Sequence, residues 1–251
     1  MTDILLCGCA GKMGRAVAAC AAKRSDCRIA AGVDIYAQEV PAFPLFGALR
    51  EFPGKAEVII DFSNPAALAD LLAYAVETKT PAVICTTGHS AEQKAEIEAA
   101  AQKVPLFFSA NMSLGVSLTA ELAKLAARVL GGYDIEIIEM HHNQKVDAPS
   151  GTAIMLADAI ASELAEAPEY TYDRHAVREK RGKNEIGIHA VRGGTITGEH
   201  EILFAGHDEI IKISHSARSK ELFAVGAVKA ALFLQTQSKA GLYQMADLVK
   251  A

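Results

Sequence analysis

The stretch Glu136-Ile-Ile-Glu-Met-His-His-Asn-Gln-Lys-Val-Asp-Ala-Pro-Ser-Gly-Thr152 is the densest cluster of reactive side chains in the chain. A strand that continued through it would put His141, Asn143 and Lys145 on one face, because side chains alternate with period two. Pro149-Ser150-Gly151-Thr152 then leads into a helical stretch, whose N-terminal N–H groups and dipole favour an anion such as a carboxylate. A histidine that can deliver a proton near neutral pH, a lysine and an anion cradle this close together suit a negatively charged substrate. The plainer reading of the same residues is a polar loop followed by a helix cap. No spacing of the HExxH kind is present, and no metal is expected. His89, His175, His189, His200, His207 and His215 are scattered and read as structural or surface residues.

A second constellation lies near the N-terminus. Gly8-Cys9-Ala10-Gly11-Lys12-Met13-Gly14 separates an apolar run from an Ala-rich helical stretch. The GxxGxxG spacing is a variant of GxGxxG, in which glycines permit a tight turn and let backbone N–H groups approach a pyrophosphate at a helix start. Asp34 follows Gly14 by 20 residues at the end of a second strand, where a carboxylate accepts hydrogen bonds from a ribose 2′-OH. Cys85-Thr86-Thr87-Gly88 and Ser109-Ala110-Asn111-Met112 end later strands. They should border the same crevice and supply nicotinamide and ribose contacts, although each also reads as a plain turn.

These residues need a scaffold, and the chain supplies two patterns. Up to residue 108, short apolar runs (Asp3–Cys7, Arg28–Val33, Glu57–Phe62, Ala82–Cys85, Leu106–Phe108) alternate with helical stretches at Arg15–Lys23, Ala66–Glu77 and Ala91–Lys103. That alternation predicts a parallel sheet covered by helices. After Asn111 come a long amphipathic helix over Ser113–Leu130, a strand over Asp134–Met140 and a helix over Thr152–Ala165. Beyond a basic stretch, Arg174–Lys183, read as a solvated loop that could help attract an anionic ligand, three strand-like segments (Glu185–Arg192, Thr195–Phe204, Glu209–His215) predict an antiparallel meander. The apolar helix Leu222–Thr236 has no sheet of its own and should return to the first domain. The expected domains are residues 1–111 with 216–251, and 112–215.

At 251 residues, a chain 51% hydrophobic and 22% charged needs no disulfide or metal to hold a core. A net charge of −5 excludes a chain-wide basic footprint for nucleic acid. No apolar run reaches a membrane span and no signal-type segment opens the chain, so a cytoplasmic address is expected, without nucleic-acid or membrane partners. The five cysteines (Cys7, Cys9, Cys20, Cys27, Cys85) form no CxxC pair and read as small buried hydrophobes.

Taken together, Gly8-x-x-Gly11-Lys-Met-Gly14-Arg15, the Thr86-Thr87-Gly88 turn and the Glu136–Ala153 segment resemble the 4-hydroxy-tetrahydrodipicolinate reductase family almost end to end. The last segment is similar to the family signature E-x-x-E-x-H-H-x-x-K-x-D-x-P-S-G-T-A at every fixed position. The resemblance implies an α/β architecture: a Rossmann-type doubly wound parallel sheet, with an inserted α+β domain for substrate binding and oligomerisation. It also implies reduction of a cyclic dicarboxylate with NADH or NADPH in the lysine and diaminopimelate pathway, by a cytoplasmic homotetramer. Carried over by motif, His141 is the acid that protonates the ring carbon and Lys145 holds and polarises the substrate. His142 and Ser150-Gly151-Thr152 bind its carboxylates. The loop Gly8, Cys9, Ala10, Gly11, Lys12 and Met13 holds the pyrophosphate, and Asp34 holds the ribose. Cys85, Thr86 and Thr87 with Ser109, Ala110, Asn111 and Met112 line the nicotinamide side.

Two positions depart from the family pattern. Cys85 replaces the glycine of a Gly-Thr-Thr turn, and Ile35 stands where some relatives carry an arginine for the 2′-phosphate of NADPH. The second departure leans the expectation toward NADH, with Lys12 and Arg15 still in a position to meet a phosphate. Two rival readings remain at this stage. One is a different reductase on the same scaffold, separated by binding of pyridine-2,6-dicarboxylate. The other is a nucleotide-sensing protein without catalysis, separated by binding without turnover.

Overall fold

The computed structural model describes residues 1–37, 41–109, 111–175 and 178–250. It divides into two units, Met1–Leu114 with Glu221–Ala251, and Gly115–Lys220.

In the first unit, β1 (Thr2–Cys7), β2 (Cys27–Val33), β3 (Leu45–Phe46), β4 (Val58–Asp61), β5 (Ala82–Ile84) and β6 (Pro105–Phe108) form one sheet with a late strand, Gly241–Tyr243. Every pairing is parallel, and the order is β3-β2-β1-β4-β5-β6 followed by the late strand. Burial on both faces explains why β4 reads Val-Ile-Ile-Asp with no polar alternation. Helices α1 (Lys12–Ala21) and, from the C-terminal segment, Glu221–Leu234 pack over Ile4, Leu6, Val58, Ile60, Val83 and Phe107. Helices α2 (Leu68–Thr78) and α3 (Ala91–Ala101) cover Leu5, Ile59, Ile84 and Leu106 on the other face. The helix Glu221–Leu234 thus returns to the first unit, as its apolar composition without a sheet required. Gly226 permits the approach, because a Cβ there would fall on the Met112 carbonyl. The strand Gly241–Tyr243 escapes a sequence reading because it is three residues long and its pairing with β6 joins segments far apart in the chain.

The second unit contains α4 (Leu114–Val129, which begins at the boundary), β7 (Asp134–His141), α5 (Gly151–Ala161), β8 (Glu169–Thr171), β9 (Glu185–Arg192), β10 (Gly198–Ala205) and β11 (Ile210–Ala217). Its sheet has the order β11-β10-β7-β9-β8. The antiparallel meander is therefore overturned. Only β10 and β11 are sequential antiparallel neighbours; β7 lies between β9 and β10, and β9 runs parallel to it. The Gly193-Gly194 turn shows why. It does not close a hairpin between β9 and β10, because the Gly193 N–H donates to the His141 carbonyl (2.9 Å) and the Gly194 carbonyl accepts from Asn143 N–H (3.2 Å). One face buries Ile135, Ile137, Ile186, Ile188, Ile202 and Phe204 against Ala123 and Ala127 of α4 and Leu156 and Ile160 of α5. The opposite face carries Ile138, Met140, Val191, Leu203 and Ile210 at half-buried or exposed positions.

Candidate active site

In the first unit the strand order reverses at β1, and a cleft of about 930 Å³ opens outside the carboxyl ends of β1, β2 and β4. The chain leaves β1 through Gly8, whose φ of +72° and closeness to Phe62 admit no side chain: a Cβ there would fall on the Phe62 carbonyl and 2.8 Å from Ser63 N. Gly14, in the first turn of α1, lies against the same loop, and a Cβ there would stand 2.6 Å from Cys9 Cα. The Asp34 carboxylate accepts the Ala10 N–H at 2.9 Å and the Tyr36 N–H at 2.8 Å, which ties the glycine loop to the end of β2. Bare backbone at a helix start, with a carboxylate beside it, fits the pyrophosphate and ribose of a dinucleotide.

Of the residues expected to contact the nucleotide, Gly8, Cys9, Ala10, Gly11 and Asp34 line this cleft, together with Arg15, Asp61, Phe62 and Ser63. Lys12, Met13, Cys85, Thr86, Thr87, Ser109, Asn111 and Met112 lie outside its lining, and Ala110 lies outside the described residues. The side chains of Cys85 and Met112 belong to the core, leaving their backbone for any contact. Thr86 is buried and donates to Asp61 (2.6 Å), Ser109 donates to the Asn111 carbonyl (2.9 Å), and the Asn111 side chain accepts from Ser113 N–H (2.8 Å). Burial pushes the Asp61 carboxyl above its ordinary value, against hydrogen bonds from Ser63 and Thr86.

The second site is built on the helix-covered face of the second sheet. Inward positions of β7 change there from Ile135 and Ile137 to Glu139 and His141, and those of β10 from Phe204 and Ile202 to His200 and Gly198. Glu139 is 0% exposed. Its Oε2 meets His141 Nδ1 at 2.6 Å and accepts from Arg192 at 2.8 Å; its Oε1 accepts from Arg192 at 2.7 Å and from Ser150 N–H at 2.9 Å. Burial works to raise the Glu139 carboxyl, but hydrogen bonds from Arg192, His141 and Ser150 outweigh it and hold it below the ordinary carboxylate range. With Nδ1 so engaged, the other ring nitrogen of His141 faces Gly198, where a Cβ would stand 3.1 Å from Nε2.

Ser150 caps α5, its Oγ accepting the Ala153 N–H at 3.1 Å and meeting His200 Nε2 at 3.0 Å. Gly151 and Thr152 head the helix. His200, whose ring centroid lies 5.3 Å from that of His141, is pushed down to about 4 by burial and by the neighbouring His141 charge. The Lys145 ammonium donates to both oxygens of Asp147 (2.7 and 2.9 Å) and holds that carboxyl below its usual value.

One expectation about this site needs correcting. Strand β7 ends at His141, and residues 142–145 turn, with Lys145 N–H donating to the His142 carbonyl at 3.1 Å. His141, Asn143 and Lys145 therefore do not share a strand face; a turn sets Lys145. Sequence reasoning also missed Glu139, Arg192, Gly198 and His200. His200 did carry a signal, because it is in period-two register with the apolar Ile202 and Phe204 and so had to point inward. In the basic stretch, Arg174 is bound to Glu185, and Arg181 to Asp134, Glu136 and backbone carbonyls. Among the described residues no group of three or more His, Cys, Asp or Glu is placed to hold a metal ion. No helix among them is long and apolar enough to cross a membrane.

A doubly wound sheet with a glycine-loop nucleotide cleft, joined to a mixed sheet carrying a histidine–carboxylate pair, defines a two-unit pyridine-nucleotide oxidoreductase. Comparison with known proteins narrows the class. The family model described as dihydrodipicolinate reductase, N-terminus, matches residues 2–112, and the one described as dihydrodipicolinate reductase, C-terminus, matches residues 115–249. The 4-hydroxy-tetrahydrodipicolinate reductase of Caldanaerobacter subterraneus subsp. tengcongensis is 52% identical over 250 residues, covering 100% of this chain and 99% of its own. That of Clostridium novyi is 45% identical over 252 residues, with 100% and 99% covered. Among solved structures, dipicolinate-bound dihydrodipicolinate reductase from Paenisporosarcina sp. TG-14 superposes with a TM-score of 0.83 at 25% identity, covering 97% of each chain. A diaminopimelate dehydrogenase from C. glutamicum, 13% identical with a TM-score of 0.59 and covering 98% of this chain and 93% of its own, shares the fold. The chain belongs to the dihydrodipicolinate reductase family, and it is an oxidoreductase of lysine and diaminopimelate biosynthesis.

Proposed function

We propose that the chain reduces 4-hydroxy-2,3,4,5-tetrahydrodipicolinate to 2,3,4,5-tetrahydrodipicolinate and water, with His141 as proton donor and NADH preferred over NADPH. The observation that carries this reading is the buried carboxylate of Glu139, which binds both His141 Nδ1 and the amide of the α5 cap residue Ser150. A proton source and an anion-binding helix start are thereby held together in one unit, as a dicarboxylate that must be protonated requires.

The bound nucleotide supplies the hydride. The 4-hydroxyl leaves as water together with a proton from the adjacent ring carbon, the hydride adds to the carbon that carried the hydroxyl, and His141 delivers a proton from Nε2 to the adjacent ring carbon. Lys145 binds and polarises the substrate, trading its partner Asp147 for a substrate carboxylate. His142, Ser150, Gly151 and Thr152 take the carboxylates. The first unit serves as the dinucleotide-binding domain: Gly8–Met13 hold the pyrophosphate, Asp34 the ribose, and Cys85–Thr87 with Ser109–Met112 the nicotinamide side, Cys85 and Met112 through their backbone. The second unit serves substrate binding and oligomerisation.

Cofactor choice rests on the charge around Asp34. Ile35 beside it is apolar and 71% exposed. The cations that line the cleft are engaged, Arg15 with the Ala10 carbonyl (2.8 Å) and Arg50 with Glu77 (2.7 Å). A carboxylate facing the ribose accepts the 2′-OH of NADH and repels the 2′-phosphate of NADPH. A homotetramer that buries the open face of the second sheet, where Ile138, Met140 and Leu203 lie among Glu136, Glu199, Glu201 and Lys212, and a cytoplasmic address complete the proposal.

The test is oxidation of NADH and NADPH by the purified chain, with substrate generated from pyruvate and aspartate semialdehyde by the preceding synthase. Substrate-dependent oxidation, faster with NADH at limiting cofactor, is expected. No oxidation by folded protein that binds nucleotide would refute the activity and favour a nucleotide sensor.

A further inference from the structure

The role proposed for His141 uses only its outer nitrogen, whereas the most elaborate hydrogen bonding in the second unit lies behind it. Glu139 occupies an inward strand position whose neighbours, Ile135 and Ile137, are apolar, so the sheet needs no charge there. Burying a carboxylate is costly unless every lone pair is met. Here four hydrogen bonds meet it from three other places in the fold: two from Arg192 of β9, one from Ser150 at the head of α5 and one from His141 at the end of β7. His200 of β10 packs edge-on against the His141 ring, and His215 of β11 pairs opposite His200. Lys145 and Asp147 form the adjacent ion pair.

We propose that Glu139, kept charged by Arg192, is a positioning residue for the reduction: it holds His141 with Nδ1 protonated and Nε2 on the open side beside Gly198, and through Ser150 N–H it fixes that nitrogen relative to the carboxylate-binding start of α5. The proposal rests on His141 being the proton donor. The proton balance is simple. The imidazolium gives its Nε2 proton to the ring carbon, the neutral ring keeps Nδ1–H on Glu139, solvent later restores the Nε2 proton, and Glu139 stays a carboxylate throughout. Arg192 prevents the alternative, in which the proton would pass to Glu139 and the ring would lose its fixed tautomer.

Two measurements on the full chain test this. The first is a double-mutant cycle of Glu139→Gln and His141→Ala, read as kcat and KM with NADH and as affinity for pyridine-2,6-dicarboxylate. Glu139→Gln is expected to lower kcat by about 10–10²-fold with KM and dicarboxylate affinity within about threefold, and to change kcat by less than about threefold once His141 is alanine. An equal loss in both backgrounds would make Glu139 merely structural and overturn the proposal. The second is the nitrogen-15 spectrum of the wild-type histidine rings, which needs neither variant to fold. Neutral His141 is expected as the Nδ1–H tautomer, and an Nε2–H tautomer would overturn the proposal. A wild type that turns nothing over would refute the activity, while the tautomer would still decide the place of Glu139.

Discussion

Gly14 is the position at which one methyl group should separate the fold of the first unit from its nucleotide affinity. A Cβ built there meets the Gly8 carbonyl and stands 2.6 Å from Cys9 Cα and 2.9 Å from Cys9 C, all backbone atoms. The 2.6 Å distance is about 1 Å short of ordinary carbon–carbon contact. The loop cannot retreat, because Gly8 is pinned by its N–H to the Val33 carbonyl (2.9 Å) and presses on the backbone of Phe62 and Ser63. In Gly14→Ala the start of α1 must therefore move by about 1 Å, at the usual cost of overpacking, about 1–3 kcal/mol. The same movement stretches any hydrogen bond from the first turn of α1 to a phosphate beyond about 3.5 Å. Losing one such charge-assisted bond, about 1.5–3 kcal/mol, weakens nucleotide binding by about 10–10²-fold. Gly11→Ala is the control for stability. Its Cβ meets only the Gly8 carbonyl at 3.3 Å, and the residue sits at φ −68°, which alanine adopts without strain. Titration of NADH by fluorescence, with thermal unfolding alongside, reads both variants. Gly14→Ala binding as tightly as wild type, or Gly11→Ala losing as much thermal stability as Gly14→Ala, would refute the packing argument.

His141→Ala should lower turnover by about 10²–10⁴-fold without abolishing NADH binding, measured by steady-state oxidation and nucleotide titration. Ile35→Arg should move the ratio of kcat/KM for NADPH over NADH upward by about tenfold, the worth of one partly exposed phosphate contact, and an unchanged ratio would remove residue 35 from cofactor choice. Ser150→Ala should cost about 1 kcal/mol for the lost helix cap and more for the unpaired His200, read by urea unfolding. Acid should weaken the fold through His200. Its folded value lies near 4 and its unfolded value near 6.5, so the unfolded chain binds the extra proton, and about 3 kcal/mol present above pH 6.5 is lost as pH falls to 4. The lowered His215 and Glu139 act in the same direction. Urea midpoints between pH 7 and 4.5 should fall less steeply in His200→Gln.

The two units differ in how far local sequence carried. In the first, β1, β4 and β5 each lead into a helix that packs on the same sheet, and right-handed crossovers allow few arrangements, so glycine spacing plus Asp34 was enough to locate the cleft at the strand ends. The second unit has no such rule. Short glycine-containing turns joined β9, β10 and β11 into an apparent meander, while the pairing that formed inserted β7, a strand from far earlier in the chain. The same cause hid Glu139, Arg192 and His200. They come from three strands, and only sheet registry, Glu139 opposite His200 and His141 opposite Arg192, brings them into one network.

The sequence alone determined the kind of chemistry. The types and spacing of His141, Lys145 and Pro149–Thr152, and of the three glycines at the start of α1, are local properties that survive without knowledge of pairing. The tertiary structure decided which atoms meet. Where a strand stops, which nitrogen of His141 is occupied and which carboxylate is buried enough to need an arginine all depend on neighbours distant in the chain. Hydrogen bonds and burial are set by distance in space, and nothing in the spacing of residues along the chain encodes that until the sheet closes.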